Sequence, residues 1–192
     1  MGIAHAQVRR WTRQEYEHLA AQGVFAPAER VELIEGEIVA MTPQGTLHAA
    51  AIMLVQVALQ RVFQVGYVVC VQLPLALGLR SMPEPDFAVV PGSPRDYRDE
   101  HPTTAVLVVE VADTTLEFDR SEKASAYAAA GIPDYWVLNL VDRVLEVFRD
   151  PGPQPGAPFG HGYRTHLRCG LADRVAPLAA PGAFINVADL LP

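Results

Sequence analysis

Ala105-Val106-Leu107-Val108-Val109-Glu110-Val111-Ala112 is the stretch from which the fold reads outward. It is apolar at consecutive positions, as a strand covered on both faces of a sheet must be. Downstream, Arg120 to Ala130 reads as an Ala-rich helix stopped by Gly131 and Pro133, followed by strands Tyr135–Leu140 and Val144–Phe148. Residues 150–162 read as a Pro/Gly loop. Upstream, Phe87–Val90 is a short strand after Pro85-Asp86, and Tyr67 to Leu79 is one or two strands broken at Pro74. Residues 47–64 have the length and composition of a buried helix, with Gln56, Gln60 and Gln64 as its exposed stripe. Val31 to Met41 is a hairpin about Glu35-Gly36. Thr12 and Glu15 form a capping box for a first helix, stapled by Trp11 and Tyr16 and ended at Gly23. Helices and strands interleave, so the expected fold class is α/β with a mixed sheet, in one domain over residues 1–192.

Half of the 192 residues are apolar and 19% are charged, which excludes a disordered or fibrous chain. Two separated cysteines exclude a disulfide framework and a four-ligand zinc site. The opening MGIAHAQVRRWTR lacks the apolar core of a signal peptide, and no apolar run is long enough for a membrane, so a cytoplasmic protein is expected. The net charge of −7 argues against coating of nucleic acid by simple attraction. That charge is segregated, however. Residues 14–142 hold 18 acids against seven bases, a place for cations, while Arg9, Arg10, Arg13 and the five arginines of 143–174 remain for phosphate. Lysine occurs once, at Lys123.

Three residues carry candidate chemistry. Glu110 shares a strand face with Val106 and Val108, where an ionised carboxylate needs a metal, a cation or a hydrogen-bond network. It could also be a strand-end glutamate reaching an arginine or solvent. Asp86 lies at the mouth of an apolar strand, although Pro-Asp pairs are also common in turns. Asp119 and Glu122 read as a helix start, which puts Lys123 in the first turns, where the helix dipole disfavours a cation. Its plain alternative is an i,i+4 pair with Asp119. Together the three suit a metal-dependent phosphodiesterase. Two carboxylates hold one oxygen-seeking ion, water completes the shell, and the lysine orients that water or takes its proton.

The order Pro85-Asp86, Glu110 and then a lysine resembles the PD-(D/E)XK nuclease superfamily, and within it the Uma family of restriction-endonuclease-like proteins, a large bacterial family. The similarity covers roughly residues 12–150. It rests on Val31–Val39 (VELIEGEIV), His48, Pro85–Val90 (PDFAVV), Val109–Asp113 (VEVAD), Phe118–Lys123 (FDRSEK) and Tyr127–Val137 (YAAAGIPDYWV). The superfamily lysine stands two residues after the second acid, where this chain has Ala112. The family pattern places it downstream on the following helix, as Lys123 stands.

The resemblance implies a restriction-endonuclease-like mixed sheet flanked by helices. It implies Asp86 and Glu110 as metal carboxylates, Lys123 as the catalytic lysine, and Mg²⁺ or Mn²⁺ as cofactor. Glu32 matches a family acid that could add a ligand, or else is an exposed hairpin residue. His48 either contacts phosphate or Glu32, or makes a structural hydrogen bond. Tyr127 is expected to pack, and His161 and His166 have no site role. The implied activity is cleavage of DNA to a 5′-phosphate and a 3′-hydroxyl by a homodimer, with the tail Phe184–Leu191 as either interface or closure of the sheet. The competing readings are a non-catalytic dimeric DNA- or partner-binding module and a metal-dependent hydrolase of another substrate.

Overall fold

The computed structural model describes residues 8–26 and 29–192, so the opening stretch at 1–7 lies outside the described residues. Thr12 and Glu15 close the expected capping box of α1 (Arg13–Ala21). Glu15 N donates to Thr12 Oγ1 at 3.2 Å, and Thr12 N donates to Glu15 Oε2 at 2.9 Å. Strands β1 (Val31–Ile34) and β2 (Glu37–Ala40) form the hairpin, with Glu35 and Gly36 both at positive φ as its two-residue turn requires. Tyr16 joins the two units: it packs with Val31, Leu33 and Met82, and its hydroxyl donates to the Val31 carbonyl.

After α2 (Thr46–Val62) come β3 (Tyr67–Val71), β4 (Phe87–Pro91) and β5 (Leu107–Ala112). A continuous helical segment follows, built of α3 (Leu116–Phe118), a π-helical turn (Asp119–Lys123) and α4 (Ala124–Ala129). It leads into β6 (Asp134–Asn139), β7 (Val144–Pro153) and β8 (His161–Cys169). The sheet runs β3-β4-β5-β6-β7-β8, parallel at β5–β6 and antiparallel at its other pairings. Antiparallel neighbours need only turns, whereas the parallel pair needs a crossover, which the helical segment supplies. A short pair, β9 (Arg174–Val175) with β10 (Ile185–Asn186), closes the chain.

The two-residue period of the strands sorts their side chains into two cores. Phe87, Val89, Leu107, Val109, Val111 and Trp136 face α2 and the C-terminal tail. Ala88, Val108, Ala112, Tyr135 and Val137 face Ala124 and Tyr127 of α4. Both β5 and β6 are buried along their whole length, as the unbroken apolar run of β5 required. Glu110 belongs to the α4 face.

Three expectations change, and the tail takes one of its two expected roles. The segment expected as a loop over 150–162 is shortened to 154–160: β7 continues to Pro153 and β8 begins at His161, because Pro151 and Pro153 pair across to Tyr163 and His161. The outer face of α2 is not a glutamine stripe; Leu47, Met53, Leu54 and Val57 are exposed beside Gln60. In the tail, Ile185, Val187, Leu190 and Leu191 are buried against α2 and close the core, while Phe184 stays exposed. Two of the three N-terminal arginines are engaged rather than free for phosphate: Arg9 pairs with Glu15 and Arg10 with Glu37. Among the described residues, no helix is long and apolar enough to cross a membrane.

Candidate active site

Asp86 immediately precedes β4, and Glu110 lies in β5. Phe87 pairs with Val109, so one further step along the antiparallel ladder brings Asp86 opposite Glu110. The Asp86 backbone N–H donates to Glu110 Oε2 at 3.2 Å. The Asp86 carboxylate takes the Val111 N–H on Oδ2 at 2.8 Å, and Gln72 Nε2 and His48 Nε2 on Oδ1 at 3.0 and 3.3 Å. Burial alone would raise its pKa, but His48, Gln72 and Val111 together hold it below the usual carboxylate range.

Lys123 reaches the same place from the π-helical turn. Its Nζ donates to Glu110 Oε1 at 3.0 Å and stands 3.3 Å from Glu32 Oε1 and 3.9 Å from Asp119 Oδ1. The π turn is the local reason: its wider winding sets Asp119 and Lys123, four residues apart, towards the same cleft. Asp119 is therefore not the helix cap that its spacing to Glu122 suggested. The helix begins earlier, at Leu116, and Asp119 is buried, accepting the Thr115 hydroxyl at 2.6 Å. Tyr127 does more than pack: its hydroxyl donates to Glu110 Oε1 at 2.7 Å.

Glu32, Asp86, Glu110, Asp119 and Lys123 are all buried. One ammonium does not neutralise three carboxylates, and the imbalance is visible in their proton affinities. Burial pushes Glu110 up to about 8, against the pull of Lys123 and with Asp119, Asp86 and Glu32 adding to it. Burial likewise lifts Asp119 to about 6, opposed by Lys123 and the Thr115 hydrogen bond. For Lys123, burial would favour loss of the proton, but Glu110, Glu32 and Asp119 more than reverse it and raise the pKa above its ordinary 10.5. Tyr127 is raised well above 10 by burial and by Glu110, so it stays a phenol donor.

Glu32, His48, Asp86, Glu110, Asp119 and Lys123 line a cleft of about 290 Å³ that Arg30, Gln44 and Asp113 also border. Its donors are hard carboxylate oxygens in excess over nearby positive charge, which suits Mg²⁺ or Mn²⁺ rather than a thiophilic metal. Among the described residues, no three His, Cys, Asp or Glu side chains are grouped as a ready-made ligand set. The donors that fit are the adjacent pair Asp86 and Glu110, consistent with an ion that keeps several waters. Glu32 is turned to Lys123 and accepts the Glu84 N–H at 3.2 Å, and His48 touches Asp86 rather than Glu32.

The structure thus brings together all five residues singled out from the sequence: Glu32, His48, Asp86, Glu110 and Lys123. It adds Gln72, Asp119 and Tyr127. The i,i+4 pairing of Asp119 with Lys123 was visible as a spacing, but Gln72 carried no sequence signal beyond interrupting an apolar run.

A family model described as Uma2, "Putative restriction endonuclease", matches residues 13–172, a span that contains the whole cleft. A solved structure from Anabaena variabilis ATCC 29413, described as a putative nuclease belonging to DUF820, superposes with a TM-score of 0.61 at 17% identity. The match covers 83% of this chain and 88% of that one. At that identity the likeness shows a shared fold. No curated protein matches the sequence. By the family model that spans most of its length, the chain belongs to the Uma2 family.

Proposed function

We propose that this protein is a metal-dependent DNA endonuclease in which Asp86 and Glu110 hold one divalent ion and Lys123 completes the catalytic set. The observation that carries this reading is the adjacency of Asp86 and Glu110, with the lysine ammonium 3.0 Å from the second carboxylate. Family membership supports phosphodiester hydrolysis as the reaction class. The ion, when bound, supplies a Lewis acid for the phosphoryl oxygen and an acidified water.

The roles of the chain's own groups follow from their charges. Asp86 stays anionic because His48, the Gln72 amide and the Val111 N–H hold it, so it offers negative charge to a cation. Lys123 stays an ammonium, so it acts as a charged donor that orients water or a phosphate oxygen rather than as a base. Tyr127 fixes the Glu110 oxygen that Lys123 shares. The cleft is acidic, and Arg30 at its border is paired with Glu84, so DNA would meet repulsion there until a cation is present. Cleavage of both strands calls for two such clefts, and we propose a homodimer.

The test is incubation of supercoiled plasmid and single-stranded DNA with Mg²⁺ or Mn²⁺, beside Asp86→Ala and Lys123→Ala. Cleavage that requires metal and is lost in both variants supports the reading. Cleavage that persists in both removes it, and metal-independent DNA binding without cleavage favours a binding module.

A further inference from the structure

Gln72 follows the last residue of β3, and it stands in a row with the two carboxylates. Val71 pairs with Phe87, and Phe87 pairs with Val109. One step further along both ladders sets Gln72, Asp86 and Glu110 abreast across three strands. Gln72 itself lies just past the pleated residues of β3; its side-chain amide reaches the Asp86 carboxylate, and the Asp86 N–H in turn reaches Glu110.

Gln72 holds Asp86 at two points. Its backbone N–H donates to the Asp86 carbonyl at 3.1 Å, and its side-chain Nε2 donates to Asp86 Oδ1 at 3.0 Å. It does so from a left-handed backbone conformation, at φ 51. Glycine enters that region without steric penalty, whereas a glutamine there is strained, and such strain concentrates where surrounding structure enforces a function. The amide gained in return reaches Asp86 from the β3 side, outside the residues that line the cleft.

The chemistry of the donor matters as much as its position. A lysine or arginine at this place would cancel the Asp86 charge, as Lys123 offsets that of Glu110. A primary amide orients the carboxylate while leaving its charge for a cation. With the Val111 N–H on Oδ2 and Gln72 and His48 on Oδ1, the carboxylate plane is fixed from three sides. Groups that orient metal-ligating carboxylates in this way govern affinity for the ion.

We infer that Gln72 is the positioning residue for Asp86, a neutral clamp that presents this carboxylate to the divalent ion. The inference rests on the reading of Asp86 as a ligand of that ion.

The experiment titrates Mn²⁺ into the metal-free full-length chain and follows free Mn²⁺ by electron paramagnetic resonance. Wild type is compared with Gln72→Met, which keeps side-chain length without the donor, and with Gln72→Gly, which removes the donor and relaxes the backbone. Circular dichroism establishes that each variant is folded at the titration temperature. Both variants are expected to bind Mn²⁺ about 10–100-fold more weakly than wild type. In an Asp86→Ala background, Gln72→Met is expected to leave both residual Mn²⁺ affinity and folding stability unchanged, whereas a merely structural role would lower stability there as well. In ¹⁵N-labelled wild type the Gln72 side-chain amide should give a resolved signal that collapses to the random-coil position in Asp86→Ala. Mn²⁺ affinity within about twofold of wild type in both Gln72 variants overturns the inference alone, as does an equal loss in the Asp86→Ala background. A wild-type protein that binds no Mn²⁺ overturns it together with the metal-dependent reading.

Discussion

Lys123 Nζ lies 3.0 Å from Glu110 Oε1, with both residues buried and with Glu32 and Asp119 on the other sides of the ammonium. A buried ion pair often contributes little net stability, but removing one partner leaves an uncompensated charge. In this cleft the uncompensated charge would be multiple, because one cation serves three carboxylates.

Lys123→Met is therefore expected to abolish cleavage and to destabilise the metal-free fold at pH 8 by about 3–5 kcal/mol. The penalty should shrink at pH 5, where Glu110 and Asp119 take up protons. Urea denaturation at the two pH values checks both parts; a penalty that is larger at pH 5 would contradict the cleft electrostatics.

The wild-type cleft has its own pH signature. Glu110 rises from an ordinary 4.5 to about 8, and Asp119 from 3.8 to about 6. Between those limits the folded protein binds protons that the unfolded chain has released, so this contribution to stability is present at low pH and falls as pH rises towards 8. Thermal melts in EDTA should show wild type losing more stability between pH 5 and 8.5 than Glu110→Gln, at about 2–4 °C per kcal/mol for a chain of this size. Equal slopes would mean that Glu110 titrates normally.

Asp86→Ala should end cleavage while leaving the sheet intact. The strand pairing of Phe87 and the residues after it does not use the carboxylate, although the Val111 N–H and the Gln72 amide lose their acceptor. A modest cost of about 1–3 kcal/mol is expected from those stranded donors. Plasmid nicking and a denaturation curve measure the two effects; residual metal-dependent nicking near the wild-type rate would remove Asp86 from the site.

Tyr127→Phe keeps the ring packing against Tyr135 but deletes the hydroxyl bonded to Glu110. Loss of that hydrogen bond costs about 0.5–1.5 kcal/mol where Glu110 is protonated and about 1.5–3 kcal/mol where it is ionised, and slower but not abolished cleavage should accompany it. Unchanged rate and stability would return Tyr127 to a packing role.

Arg120 lies within the π-helical turn and is anchored to the buried Glu146, with Nε donating to Oε2 at 3.0 Å. Burial opposes ionisation of Glu146, but Arg120 and Asn139 outweigh it and hold its carboxyl below the usual range. Arg120→Ala should cost about 3 kcal/mol and slow cleavage by releasing the turn that carries Asp119 and Lys123. Stability loss with an unchanged cleavage rate would show that the turn holds its shape without the anchor.

Much of the architecture was legible because it follows local rules. The capping box at Thr12, the Glu35-Gly36 turn and the apolar run of β5 each depend on a few adjacent residues. The π turn was not legible, since Asp119-Arg120-Ser121-Glu122-Lys123 also has the composition of an ordinary helix start. Its winding depends on where Glu146, Glu110 and Glu32 stand in other elements. Gln72 was hidden for a similar reason. Its partner Asp86 is 14 residues away, and their meeting depends on the register between β3 and β4.

By itself, the sequence placed a carboxylate, Glu110, in an apolar central strand, where burial would require compensation and only a strand-end position would let it reach solvent or an arginine. It also grouped Asp86 and the single lysine with Glu110 as candidates for the same chemistry. Only the tertiary structure decided how that compensation is shared. Sheet register set Gln72 and Asp86 beside Glu110, and the π turn aimed Lys123 and Asp119 into the same cleft. Those contacts to Asp86 and Glu110 span 13 to 24 residues of chain, and such distances are closed by packing rather than by local preference.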